Sequence, residues 1–275
     1  MPFTQETRHR ILQKLFWNPI GVKIIGRVIR LQVLFNVVIR NYSLIGHSNG
    51  ERWLLTLMDE TPLAFDVGFH DGQSTAEILK VRTKATVVGF DPSNFGRKSY
   101  EDRFARDARV RFVNAGISDQ KGTLTFYDYG NMCNSLAVRK EAHFGEMTAY
   151  KVPIDTIDDF SKANHIEAIN FLKIDVEGFD LNVLEGAAEM ISRQAIDIFM
   201  FEFASGWAGS KRYLWEVDAY FKKKPYRLFR LFNGFLCPFI YHHSMDSCML
   251  LSSMYVGVSD KRLSNGDIPI RDYKF

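Results

Sequence analysis

Three cysteines, Cys133, Cys237 and Cys248, are all that the 275 residues contain. They are odd in number, far apart and without a C-x-x-C pair, which argues against a disulfide framework and a zinc site and points to a reducing, cytoplasmic setting. Also missing is an uncharged apolar run long enough to span a bilayer, since Lys23, Arg27, Arg30 and Arg40 interrupt residues 20–45. No basic start, apolar core and small-residue cleavage site follow one another at the N-terminus, so no signal peptide is expected. Neither G-x-G-x-x-G nor the G-K-[ST] of a P-loop occurs, which excludes the usual dinucleotide and nucleoside-triphosphate loops. Charge of one sign is scarce overall, the formal net charge being +3. It is unevenly placed: residues 1–52 carry eight Lys/Arg against two Glu, leaving the rest slightly acidic and without the basic, aromatic-laced stripe of a nucleic-acid binder.

What is present is an apolar content of 46% with 24% charged residues, the composition of a globular protein. Three segments are expected. Residues 1–60 form a basic helical segment in which Lys23, Arg27 and Arg30 share one helix face, leaving open peripheral contact through residues 1–45 with the inner face of a membrane or a plain solvated cover. Residues 61–258 form an α/β domain, and residues 259–275 a polar, loosely held tail.

Within the α/β domain short apolar strands alternate with helical stretches. Strands are expected at 62–67, 85–90, 110–115, 168–174 and 197–203, with helices at 74–80, 97–106, 155–163, 180–193 and 210–223. Stretches 226–232 and 248–252 then read as a closing antiparallel pair. Such alternation predicts a mostly parallel, Rossmann-like sheet covered by helices on both faces, with ligands beyond the carboxyl ends of the strands.

Those ends carry the chemistry. The first strand runs into Phe65-Asp66-Val67-Gly68-Phe69-His70-Asp71-Gly72, then a helix from Ser74. Glycines admit a ligand close to the backbone and the helix start favours an anion, while Asp66 suits a positive group such as the amino group of S-adenosylmethionine (SAM). An ordinary strand-to-helix turn explains the same stretch alone. Strand two ends in Asp91, placed to accept both ribose hydroxyls of a nucleoside. Ser118 and Asp119 after strand three could read an adenine ring or simply form a turn. Strand four ends in Lys173-Ile174-Asp175-Val176-Glu177-Gly178, where two acids at i and i+2 leave on one side; Asp180 reads as a helix cap. Glu202 lies in an apolar fifth strand, as expected of a base with a raised pKa.

Together with Gly89-Phe90-Asp91-Pro92, Val152-Pro153-Ile154-Asp155-Thr156-Ile157-Asp158-Asp159 and Val183-Leu184-Glu185-Gly186-Ala187, these motifs resemble the FkbM family of SAM-dependent methyltransferases over residues 61–203. The resemblance implies a class I methyltransferase fold with a seven-stranded sheet and a reversed last strand, and methylation of a hydroxyl on a sugar, glycan or small natural product. By position, Asp66, Gly68, His70, Gly72 and Ser74 would hold the methionine part of SAM and Asp91 the ribose, with Asp175 and Glu177 beside the methyl group. Two departures stand out: the family's Gly-Ala-Asn-x-Gly is replaced by Gly68-Phe69-His70-Asp71-Gly72, and its usual ribose-binding Glu by Asp91.

Methyl transfer to an alcohol needs positioning and a base. Asp175 or Glu177 is the first choice for that base, Glu202 or His70 the second. A divalent metal on Asp175, Glu177 and Glu202 is the less favoured route. The insertion between Asp128 and Tyr150 is expected to form an acceptor lid. Rival expectations are methylation of a protein or lipid head group, and a non-catalytic SAM-binding scaffold at a membrane; a scaffold has no reason to keep three acids together. Neither the acceptor nor the oligomeric state is legible.

Overall fold

The computed structural model describes residues 49–130, 134–138, 147–246 and 253–272. The basic segment 1–48, most of the expected lid and the stretch 248–252 lie outside the described residues. Among the described residues no helix is long and apolar enough to cross a membrane.

In chain order, α1 (Asn49–Leu55) precedes β1 (Leu63–Val67), α2 (Gln73–Val81), β2 (Thr86–Phe90), α3 (Asn94–Arg103) and β3 (Val110–Val113). Then come the short β4 (Gly116–Ile117), β5 (Gly122–Asp128), β6 (Thr148–Asp155), α4 (Ile157–Ala163), β7 (Ile169–Ile174), α5 (Asp180–Glu185), α6 (Ala188–Ser192) and β8 (Ile196–Phe203). The chain continues through α7 (Gly206–Ser210), α8 (Leu214–Phe221), β9 (Tyr226–Phe232), β10 (Phe235–Pro238), α9 (His243–Asp246), β11 (Ser253–Ser259) and α10 (Asp260–Leu263).

The main sheet has the order β10-β9-β11-β8-β7-β1-β2-β3. Strands β3, β2, β1, β7 and β8 are parallel, while β11 runs antiparallel to both β8 and β9. The reversed strand is present, and the count is eight rather than seven because β10 folds back on β9 as a hairpin. The order changes direction at β1, with β2 on one side and β7 on the other, so a crevice opens at their carboxyl ends. Both faces of the central strands are buried, hence their unbroken apolar runs. Phe65, Leu172 and Phe199 enter one core layer, with Leu181, Met190 and Val217 from α5, α6 and α8. Ala64, Phe171 and Met200 enter the other, with Leu54 from α1 and Ile78 from α2.

Three expectations are corrected. The helix expected over 180–193 is two helices: Gly186 presses so close to the Ser118 carbonyl that a Cβ there would lie 2.1 Å from it, and the Asp158 carboxylate accepts the Glu189 and Met190 N–H groups, which caps α6 separately. The partner of the 226–232 strand is Ser253–Ser259, later than expected. A second sheet, β4-β6-β5, forms besides the main one, which the expected alternation does not include.

The C-terminal stretch is no loose tail over its described part. Ile268 is buried, Leu236 N–H donates to Pro269, Arg271 N–H donates to Leu236, and the buried Arg262 guanidinium reaches Asp267 and the Leu57 carbonyl. Arg262→Ala should therefore lower stability by about 1–3 kcal/mol, read as a lower urea midpoint at unchanged m; an unchanged midpoint would show that this segment is not part of the cooperative unit.

Candidate active site

The loop after β1 and the turn after β7 meet backbone to backbone. Gly68 has φ +88°, and a Cβ on it would lie 1.9 Å from the Asp175 carbonyl oxygen. On the other side Gly178, at φ +103°, leaves no room for a Cβ against the Gly206 carbonyl at the start of α7, 2.4 Å away. Glu177 precedes it in a left-handed conformation, φ 55°. Only glycine fits either contact, and between them the acids at the ends of β7 and β8 are drawn together.

Beneath this junction lies a buried ammonium. Lys173 pairs in register with Asp66 of the adjacent strand, its Nζ 3.7 Å from Asp66 Oδ1 and 3.2 Å from Asp175 Oδ2. Burial pulls the Lys173 pKa down, but the charges of Asp175, Asp66 and Glu51 outweigh it and hold the group above the ordinary lysine value, so it stays protonated. Asp66 is fully buried and accepts the Thr75 hydroxyl at 2.7 Å; burial raises its pKa against the opposing pull of Lys173 and Thr75. Asp66, expected to meet a cofactor's amino group, is placed among Thr75 and Lys173 instead of at the cavity wall. Its carboxylate is directed under the loop, to the helix start and to Lys173, and does not line the cavity above. Lys173, which does, escaped the sequence reading although it stands two residues before Asp175 and therefore on the same side of the strand.

That cavity, about 400 Å³, spans the ends of β1, β2, β4, β7 and β8. Gly68, His70, Ser74, Asp91, Asp175, Glu177 and Glu202 all line it, as the sequence expectation had them. Asp91 is only 6% exposed: Oδ2 accepts the His70 N–H at 2.7 Å, and Oδ1 accepts both the N–H and the hydroxyl of Ser93. Oδ2 keeps one lone pair for a ligand hydroxyl, so the shorter acid does part of its work on its own loop. Burial raises the Asp91 pKa, opposed by those donors. Phe69 and His70, the departures within the glycine loop, are both packed. Phe69 lines part of the cavity, while its buried ring lies over Gly89 and edge-on to Phe104 and Phe112. The ring of His70, whose φ is 48°, lies on Phe95 with centroids 4.6 Å apart.

Ser118 and Asp119 do not join the site. The cavity wall there is Gly116 and Ile117; the Ser118 hydroxyl donates to Asp119, which also accepts the Asn182 amide. They stitch the β4 turn to α5. The described part of the insertion does reach the cavity: Ser135 bridges to Tyr127, its hydroxyl donates to the Glu177 carbonyl at 3.0 Å, and Leu136 lines the space.

Asp175, Glu177 and Glu202 each offer one carboxylate oxygen such that the three atoms lie within 4.8 Å of one another. The same spacing suits hydroxyls of a ligand or a divalent cation. Asp180 lies behind them, 1% exposed, with Oδ2 accepting the Gly178 N–H rather than capping α5.

A family model, the methyltransferase FkbM domain, matches residues 66–228. This chain belongs to the FkbM methyltransferase family. Its cofactor is accordingly SAM. The chain is 23% identical over 156 residues to the 2-O-methyltransferase NoeI of Sinorhizobium fredii (strain NBRC 101917 / NGR234), a match covering 52% of this chain and 64% of that protein. Among solved structures it is similar to methyltransferase FkbM from Methylobacillus flagellatus KT, with TM-score 0.44 and 17% identity over 72% of this chain and 44% of that one. It is also similar to an rRNA methylase from Streptococcus thermophilus, with TM-score 0.44 and 10% identity over 79% and 99% of the two chains. This chain thus spans less than two thirds of the length of NoeI and about half or less of the Methylobacillus protein.

The FkbM-family cavity fits a sulfonium nucleoside. Five carboxylates, Asp71, Asp91, Asp175, Glu177 and Glu202, line it with Lys173 as its lysine, a negative surround for a cationic ligand.

Asp180 carries a pH signature. Burial, then the charges of Asp175 and Glu202, push its pKa well above the ordinary carboxyl value, against the Gly178 N–H. A folded pKa above the unfolded one stabilises the protein fully below about pH 4, and that stability is lost as pH rises toward the folded value. Asp180→Asn should flatten the decline in urea midpoint between about pH 5 and about pH 8; an equal decline in both proteins would contradict the assignment.

Proposed function

We propose that the chain is an O-methyltransferase that moves the methyl group of SAM to a hydroxyl of a sugar, glycan or small natural product. The observation that carries this is the convergence of three carboxylates, Asp175, Glu177 and Glu202, on the cavity that Gly68 and Asp91 also line. Bound SAM supplies an electrophilic methyl on a sulfonium. The protein's part is to hold the acceptor oxygen in line and remove its proton.

The three acids divide that work. Asp175 accepts a hydrogen bond from Lys173, which fixes its direction, so its free oxygen orients the acceptor hydroxyl. Glu177, in the glycine turn just beyond, takes the proton. Glu202 accepts a neighbouring hydroxyl, which is why a polyol such as a sugar suits the site better than an isolated alcohol. His70, tied by its backbone to Asp91 and by its ring to Phe95, serves the loop rather than proton transfer. NoeI, described as a 2-O-methyltransferase, supports the oxygen as acceptor.

Activity belongs in a screen of glycan precursors and hydroxylated metabolites with methyl-labelled SAM. On any acceptor found, Glu177→Gln should lower kcat by about 100-fold to 10,000-fold while S-adenosylhomocysteine affinity stays within a few-fold; full turnover in that variant would remove Glu177 as base. Loss of turnover in EDTA, restored by magnesium, would instead assign the three acids to a cation that acidifies the hydroxyl. Labelling only of protein or of lipid head groups would overturn the acceptor class.

A further inference from the structure

A short piece of the insertion, Asn134, Ser135 and Leu136, lines the strand-end cavity together with the acids. Ser135 is fixed on two sides. Its backbone exchanges both hydrogen bonds with Tyr127 of β5, and its buried hydroxyl donates to the Glu177 carbonyl at 3.0 Å. Asn134 therefore stands one residue from a direct contact with the turn that carries Glu177. Its amide is oriented from the other side. Tyr129 N–H donates to it at 2.8 Å, and because a backbone N–H can only donate, the atom it meets is the carbonyl oxygen, Oδ1. The amide nitrogen keeps two N–H groups that make no hydrogen bond among the described residues.

We infer that Asn134 is a specificity-determining residue whose amide N–H groups read an acetal oxygen of the acceptor, so that the acceptor is a glycoside. The inference rests on the O-methyltransferase reading above and narrows its acceptor class. An acetal oxygen, in the sugar ring or in the glycosidic bond, accepts a hydrogen bond and has no proton to give.

Carboxylates recognise the protons of hydroxyls and have nothing to offer an ether oxygen. The side chains that β7, β8 and the insertion bring to the cavity include three donors, Lys173, Ser135 and Asn134. Lys173 is held between Asp66 and Asp175, and Ser135 gives its proton to the Glu177 carbonyl. The Asn134 amide is the donor left for a ligand. A pyranoside carries adjacent hydroxyls on one stretch of its ring and acetal oxygens on another, which matches acids on one side and an amide on the other. Leu136, next to Ser135 at the wall, presents an apolar surface to the ring C–H groups. A phenol or a simple alcohol would leave the amide without a partner, and an unpaired polar group in a binding site counts against such a ligand.

The test compares methyl pyranosides with two analogues of each, the carba-sugar, in which CH2 replaces the ring oxygen, and the C-glycoside, in which CH2 replaces the glycosidic oxygen. With the full chain and methyl-labelled SAM, the parent should lose about tenfold in kcat/KM on one of the two analogues, as for one neutral hydrogen bond. Asn134→Asp still accepts the Tyr129 N–H but can no longer donate, and Asn134→Ala is its neutral counterpart. In both variants the ratio of glycoside to that analogue should fall to about one, with S-adenosylhomocysteine affinity within a few-fold of the parent. A parent that treats glycosides and both analogues alike, or variants that keep the parent's ratio, would overturn the inference. Transfer to cyclitols or phenols but to no pyranoside would also overturn it while the O-methyltransferase reading stands. Transfer to none of these hydroxyls would remove both.

Discussion

The site depends on one buried ammonium. Lys173 Nζ lies between two carboxylates at the ends of adjacent parallel strands, Asp66 beneath the glycine loop and Asp175 at the cavity. A buried charge left alone costs several kcal/mol, and breaking such a pair by removing one partner costs about 3–5 kcal/mol. The cluster is therefore kept complete or not at all. Asp66 uses its other oxygen on Thr75 and so fixes the start of α2; Asp175 keeps an oxygen for the cavity. One side chain couples the position of the glycine loop to that of the acid at the end of β7.

Around that cluster the backbone supplies close contact rather than charge. Gly68 against Asp175 and Gly178 against Gly206 bring three strand-end turns within van der Waals reach, closer than any side chain would allow. Ser135 closes the arrangement from the small second sheet by bonding to Glu177. Acids gathered so tightly repel one another, and at Asp180 the charges of Asp175 and Glu202 add to burial in raising the pKa. A cationic ligand relieves it, which ties the electrostatics of this pocket to the chemistry of a sulfonium.

Much of this was legible in the chain. Strand-loop-helix alternation, the cavity-lining acids Asp91, Asp175, Glu177 and Glu202, and the family follow from local pattern and short motifs. What was not legible is which way a strand-end side chain turns. Asp66 and Asp91 look alike in sequence, each an acid at the end of an apolar strand; one lies under the loop with Lys173 and Thr75, the other at the cavity wall with its oxygens half used. Ser118 and Asp119 failed for a related reason, since polar turn residues stitch elements together as readily as they read ligands. The pairing of Gly116 with Ile154, and of Leu236 with the stretch after Asp267, joins residues far apart in the chain, which no local periodicity reports.

The central claim is that the strand-end cavity, with Asp91 at one end and the Lys173-held acids at the other, is the SAM site. Calorimetric titration of SAM into the full chain and into Asp91→Ala tests it most directly. The account predicts one-site binding by the parent and a loss of about tenfold or more in the variant, which forfeits both the ligand contact and the carboxylate that accepts from His70 and Ser93 and orders them. No binding by the parent, or equal affinity in the variant, would contradict it.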